Sequence, residues 1–149
     1  MSSLRLATGE DHPEAARKHA DDAAALQGAG RADGAAYLAG YVVECALKTL
    51  ILAEKGVSPT LPWKKGRAGH DLTGLLGQAT TLASFAGAKT ARYLGPSAKA
   101  LDSSAIAGWD PEMRYRAPTL TAADAATWLA DARSVYQETV GQMILDGVL

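Results

Sequence analysis

The sequence predicts an all-α fold, an up-and-down bundle of four to five helices spanning residues 10–145. Three observations carry this. Apolar residues recur with the 3.6-residue period of an amphipathic helix in most of the chain, and no segment alternates with the two-residue period of a half-buried strand. Helix start and stop residues fall between the periodic segments, where they belong. With 149 residues, 48% of them hydrophobic, the chain is long enough to bury one core, and it shows no internal repeat, low-complexity tract or domain boundary.

The first helix opens in "EDHPEAARKHADDAAALQ". Asp11 or His12 precedes Pro13, whose fixed φ suits a first turn, and Glu14 complements the positive end of the helix dipole. Gly28 and Gly30 end it. The second helix runs near residues 33–55, with Gly56 as its stop. "VSPTLPWKKGRAG" (57–69) has two prolines, two glycines and no periodicity, so it reads as a loop. A third helix follows His70 and Asp71, with Asp71 as its cap and Leu72, Leu75, Leu76, Ala79 and Leu82 on its inner face. Residues 88–106 read as weaker helix, interrupted at Gly95 and Pro96, and "AGWDPEMRYRAPTL" (107–120) is an irregular loop. The last helix begins at Thr121, with Asp124 three residues on in a capping-box arrangement, and buries Ala125, Leu129, Ala132, Tyr136, Val140 and Met143.

Composition excludes several classes. Fifteen basic against sixteen acidic residues leave a net charge of −1, so no global field draws the chain onto nucleic acid or membrane and any anion site must be local. The single Cys45 rules out an intrachain disulfide and an all-cysteine zinc site. The start "MSSLRLATGEDHPE" has no apolar core segment of a signal peptide, and the apolar run at residues 42–52 is too short to span a bilayer. A soluble cytoplasmic protein is expected, without membrane partner or metal. His12 and His19 stand seven apart near Asp22, and three histidines without metalloprotease spacing make no metal site. "GAKT" (87–90) is not a phosphate-binding loop, and no Gly-x-Ser-x-Gly elbow exists, so no cofactor is expected.

Three constellations stand out. On the apolar helix "AYLAGYVVECALKTLIL" (36–52), Tyr37, Tyr41, Glu44 and Lys48 fall within an arc of about 60°. They are either a solvent-facing stripe, with Glu44 and Lys48 a surface ion pair, or an interior polar site. "WDPEMRYR" concentrates Trp109, Arg114, Tyr115 and Arg116 in a loop: the arginine fork suits phosphate, aromatic faces suit a base, and Arg114 is also a partner for Glu44. "WKKGRAGHDL" sets Lys64, Lys65 and Arg67 ahead of a helix start with His70, either an anion site or a solvated loop.

The order of these pieces, "YVVECALKTLI", "GHDLTGLL", "MRYR" and "ADAATWLADARSVYQETV", resembles the HEPN family over residues 10–145. The resemblance implies a helical bundle, commonly a homodimer. Many members are metal-independent endoribonucleases in toxin, abortive-infection or CRISPR-linked systems; others bind nucleotides, or work beside a nucleotidyltransferase or antitoxin. Catalytic members carry an Arg followed after four to six residues by a His. No His follows Arg114 or Arg116 here; Arg5 to His12 lies ahead of the first helix, and Arg67 to His70 is too close. The resemblance is therefore to the "Arg-Tyr" branch of binding or partner domains. It implies a non-catalytic groove for a nucleotide, RNA or partner protein, with Tyr37, Tyr41, Glu44, Lys48, Trp109, Arg114, Tyr115 and Arg116 lining it. If the chain were a ribonuclease instead, Arg114 or Arg116 would meet transition-state charge and His70 would be the substitute base. A pure protein-interaction module is the third alternative.

Overall fold

The computed structural model describes residues 1–149 and is helical throughout, with no strand. The longer helices are α1 (His12–Gly28), α2 (Ala32–Lys55), α3 (Leu72–Ala83) and α5 (Ala122–Tyr136). A single helical turn, α4 (Pro96–Lys99), lies among 3₁₀ turns, and α6 (Gln142–Leu145) continues the line of α5.

The predicted boundaries hold where a side chain or a backbone conformation enforces them. Asp11 accepts from the Glu14 N–H to cap α1, and its carboxylate also takes the amide and hydroxyl of Ser2, which ties the N-terminus to the bundle. Gly56 stops α2 at φ 81°, a conformation that a Cβ disfavours. Thr121 and Asp124 form the reciprocal capping box at the start of α5.

Other expectations needed revision. Asp71 stands at the start of α3, but its side chain caps no N–H; its carboxylate lies over the first turn, close to the Gly74 backbone. Residues 88–106 form no continuous weak helix. They fold as short turns (Ala91–Tyr93, Leu101–Ser103 and Ala105–Gly108, besides α4), and Pro96 starts α4. The Glu54 carboxylate on α2 gathers this region by accepting from the Lys89 and Thr90 amides and the Thr90 hydroxyl. Between α5 and α6 the helix widens into a π-turn over Gln137–Gly141. From within that turn Glu138 accepts from the amide and hydroxyl of Ser97 at 2.8 and 2.7 Å, which secures the start of α4.

α2 is the hub of the bundle, packed against α1, α3 and α5. Its apolar residues cover nearly all of its circumference: Ala39, Val42, Val43, Leu47, Leu50, Ile51 and Leu52 are all buried. A helix of this kind must lie inside. α2, longer than the apolar run alone, is long and apolar enough to cross a membrane by length and composition, but 83% of its apolar 18-residue stretch is buried inside the protein. Gly40 sits where the Trp109 indole crosses α2, and a Cβ there would overlap the ring. The glycine lets the 107–120 loop lie directly on the helix.

Candidate functional site

α2 presents its polar stripe inward, so the interior alternative is the one realised at its deep end. Glu44 and Lys48 are 3% and 6% exposed, and the Lys48 ammonium lies 2.8 Å from Oε1 of Glu44. Such a pair needs its remaining valences filled. Lys48 rests over the Trp63 ring at 4.9 Å, and the Glu44 Oε2 accepts from Nδ1 of His70 at 2.8 Å. Trp63 and His70 both come from the segment between α2 and α3, the latter in a 3₁₀ turn over Gly66–His70. The segment that read as either an anion site or a solvated loop therefore supplies two of the walls.

At its shallower end the stripe is half-buried and aromatic. The Tyr37 and Tyr41 hydroxyls are 3.1 Å apart. The Tyr41 ring meets Trp109 edge-on at 5.0 Å, His70 at 6.2 Å and His19 of α1, more nearly parallel, at 5.5 Å. Burial raises the Tyr41 phenol above its ordinary range, and the Tyr37 hydroxyl and the Glu44 charge push in the same direction. Tyr41 stays a neutral phenol.

The "MRYR" loop reaches this end, but not in the expected arrangement. Arg114 does not pair with Glu44, whose two oxygens are taken by Lys48 and His70. Its guanidinium instead lies beside the Tyr37 and Tyr115 hydroxyls, which hold it firmly in the charged form, and stacks over the Tyr115 ring at 4.7 Å. Arg116 binds Asp110 at 2.7 Å. Burial works to raise the Asp110 carboxyl, but the Arg116 bond, the Glu112 N–H and the charges of Arg116 and Arg67 outweigh it and hold it low. Arg67 thus belongs to the electrostatics of this loop. Lys64 and Lys65 are exposed and form no ion pair, and the Asp71 carboxylate lies over the start of α3, where the anion was expected. Trp109, expected as a stacking surface, is buried at 5% exposure and donates to the Tyr37 carbonyl at 2.9 Å. It is a plug. The exposed aromatic of this loop is Tyr115, at 73% exposure, with Arg114 against its ring.

Two histidines of α1 escaped the sequence reading as site residues. His12 packs its edge against Trp63 at 5.0 Å, and burial, with Lys48 next, lowers it to about 4. His19 is also lowered, by burial first and then by Lys18, against Asp22 and Glu44. The signal for both was there: they stand one heptad apart on the first helix, on the face that turns toward α2. Cys45 is buried and its thiol is pushed up to about 12, first by burial, so it is inert. No cluster of histidine, cysteine and carboxylate side chains is arranged to hold a metal.

The arrangement has two parts. A buried Glu44–Lys48 pair fixes the His70 ring, which remains 36% exposed. An outer rim offers one arginine free of any carboxylate, Arg114, beside an exposed aromatic. The chain matches no protein-family model, no curated protein and no solved structure.

Proposed function

We propose that the chain is a HEPN-like, non-catalytic helical domain that binds a nucleotide or single-stranded RNA along the groove from Arg114 to His70. Arg114 takes a phosphate and Tyr115 stacks a base. The observation that carries this reading is Arg114 itself: exposed, in no ion pair, beside the Tyr37 hydroxyl and lying on the Tyr115 ring. A guanidinium so placed is preorganised for bidentate contact with an oxyanion. The binding reading outranks catalysis because no histidine follows Arg114 or Arg116, and His70 is bonded to Glu44, whose other oxygen holds Lys48.

The reading is tested by titrating a fluorescein-labelled single-stranded RNA with the protein at fixed salt and following anisotropy. Arg114→Ala is expected to weaken binding at least about tenfold, the scale of one hydrogen bond to a charged group. Equal binding by wild type and variant would overturn it.

A metal-independent ribonuclease is the second reading, favoured by the His70–Glu44 bond, which holds an accessible imidazole in one orientation. It predicts cleavage in EDTA that His70→Ala abolishes. The resemblance further suggests a cytoplasmic homodimer with a nucleotidyltransferase or antitoxin as partner. The exposed Ile144, Leu145 and Val148 near the C-terminus suit such an association.

A further inference from the structure

Tyr41 has an imidazole on each of two sides, and their tautomers are opposite. Nδ1 of His70 faces a carboxylate oxygen at 2.8 Å, which can only accept, so Nδ1 carries the proton. In the neutral ring, Nε2 of His70 is then a bare acceptor. In His19, Nδ1 is buried and makes no hydrogen bond within the protein. An unpaired buried N–H is costlier and rarer than an unpaired acceptor, so the proton of His19 sits on Nε2. Neither Nε2 is buried or bonded within the protein. Around one phenol ring the half-buried surface therefore offers an acceptor from the segment before α3 and a donor from α1. Glu44 fixes the first and burial of the opposite nitrogen fixes the second.

We infer that His19 is a recognition residue of this groove, and that the His19–His70 pair reads a ribonucleotide by donor–acceptor complementarity. This rests on the nucleotide-binding reading above and names the sugar it selects. The ribose 2′-hydroxyl donates to Nε2 of His70, and a base or phosphate oxygen of the same nucleotide accepts from Nε2 of His19. The 2′-hydroxyl is the group that separates RNA from DNA, and a fixed acceptor is what detects its proton.

The probes are a labelled single-stranded RNA and the DNA of the same sequence. The variants separate the two nitrogens of each ring. His19→Phe keeps a ring against Tyr41 but removes the donor. His19→Gln returns an N–H near the position of Nε2. His70→Asn keeps a donor for Glu44 and removes the outer acceptor. Wild type is expected to prefer RNA about tenfold, the value of one hydrogen bond. His19→Phe should weaken RNA and DNA alike about tenfold, His19→Gln should recover to within about threefold, and His70→Asn should lose the preference for RNA. Binding by His19→Phe equal to wild type would overturn the inference while leaving the groove as the binding site. Binding of neither probe by wild type would overturn both. Imidazole ¹⁵N shifts of the unsubstituted protein give an independent check: His19 and His70 must show opposite tautomers, and like tautomers would overturn the pairing.

Discussion

Nδ1 of His70 lies 2.8 Å from Oε2 of Glu44, a carboxylate 26 residues earlier in the chain and almost wholly buried. This contact joins the segment between α2 and α3 to the central helix and fixes which edge of the imidazole stays exposed. Lys48 completes it from one turn further along α2. The three side chains act as one unit, held between α2 and the segment that leads to α3.

Replacing one charge of the buried pair leaves the other uncompensated. Lys48→Met is expected to lower unfolding stability by about 3–5 kcal/mol in urea denaturation, whereas the double replacement Glu44→Leu with Lys48→Met should recover most of the loss. A single variant as stable as wild type would mean that the pair is solvated.

Gly40 and Trp109 form a matched contact of small and large. Gly40→Ala gains helix propensity in isolation, but its methyl group meets the indole ring, so the net effect should be a loss of about 1–3 kcal/mol. The Trp109 bond to the Tyr37 carbonyl, and with it the position of Arg114, should loosen in the same variant. Urea denaturation and RNA binding measured together check both.

Some of this was legible in the sequence and some was not, for definite reasons. The Asp11 cap, the stop at Gly56 and the Thr121–Asp124 box depend on residues within three or four positions, so local chemistry decides them. That Glu44 needs a cationic or donor partner was also readable from its place on an apolar helix. Lys48, four residues on, was readable as one partner; the second was not, because His70 and Arg114 both qualify by type and the choice depends on how residues 57–70 fold back. The π-turn at Gln137–Gly141 has no local sequence signature, while Glu138 and Thr139 make sense of it only after α4 is placed. Trp109 looked available because loops usually present their aromatics. Gly40, an unfavourable residue in the middle of a buried helix, was the sign that something bulky crosses there.

Acid stability should report on His12. Burial, with the Lys48 charge next, takes its folded value to about 4 from an ordinary 6.5, while Glu10, Glu44 and Asp11 oppose the shift. The unfolded chain binds the proton more readily, so this stability is complete above about pH 6.5 and is lost as the pH falls toward 4. The difference in unfolding free energy between wild type and His12→Phe should therefore change by about 3 kcal/mol from pH 7 to pH 4, against the wild type. A constant difference across that range would show that His12 is solvated.

Tyr115 carries the exposed aromatic face of the rim, and its removal separates stacking from charge. Tyr115→Ala should weaken single-stranded RNA binding by about 1–3 kcal/mol, with little change in the dependence of affinity on salt. Arg114→Ala should reduce that dependence, because a phosphate contact is lost. The same salt slope in both variants would contradict this division of labour.

The most direct test of the account is to incubate a labelled mixed-sequence RNA with the purified protein in EDTA, beside Arg114→Ala, and to read binding and chain length in the same samples. The account predicts RNA that stays intact with both proteins, bound by wild type and largely released by the variant. RNA that neither protein binds, or that wild type cuts and the variant does not, would contradict it.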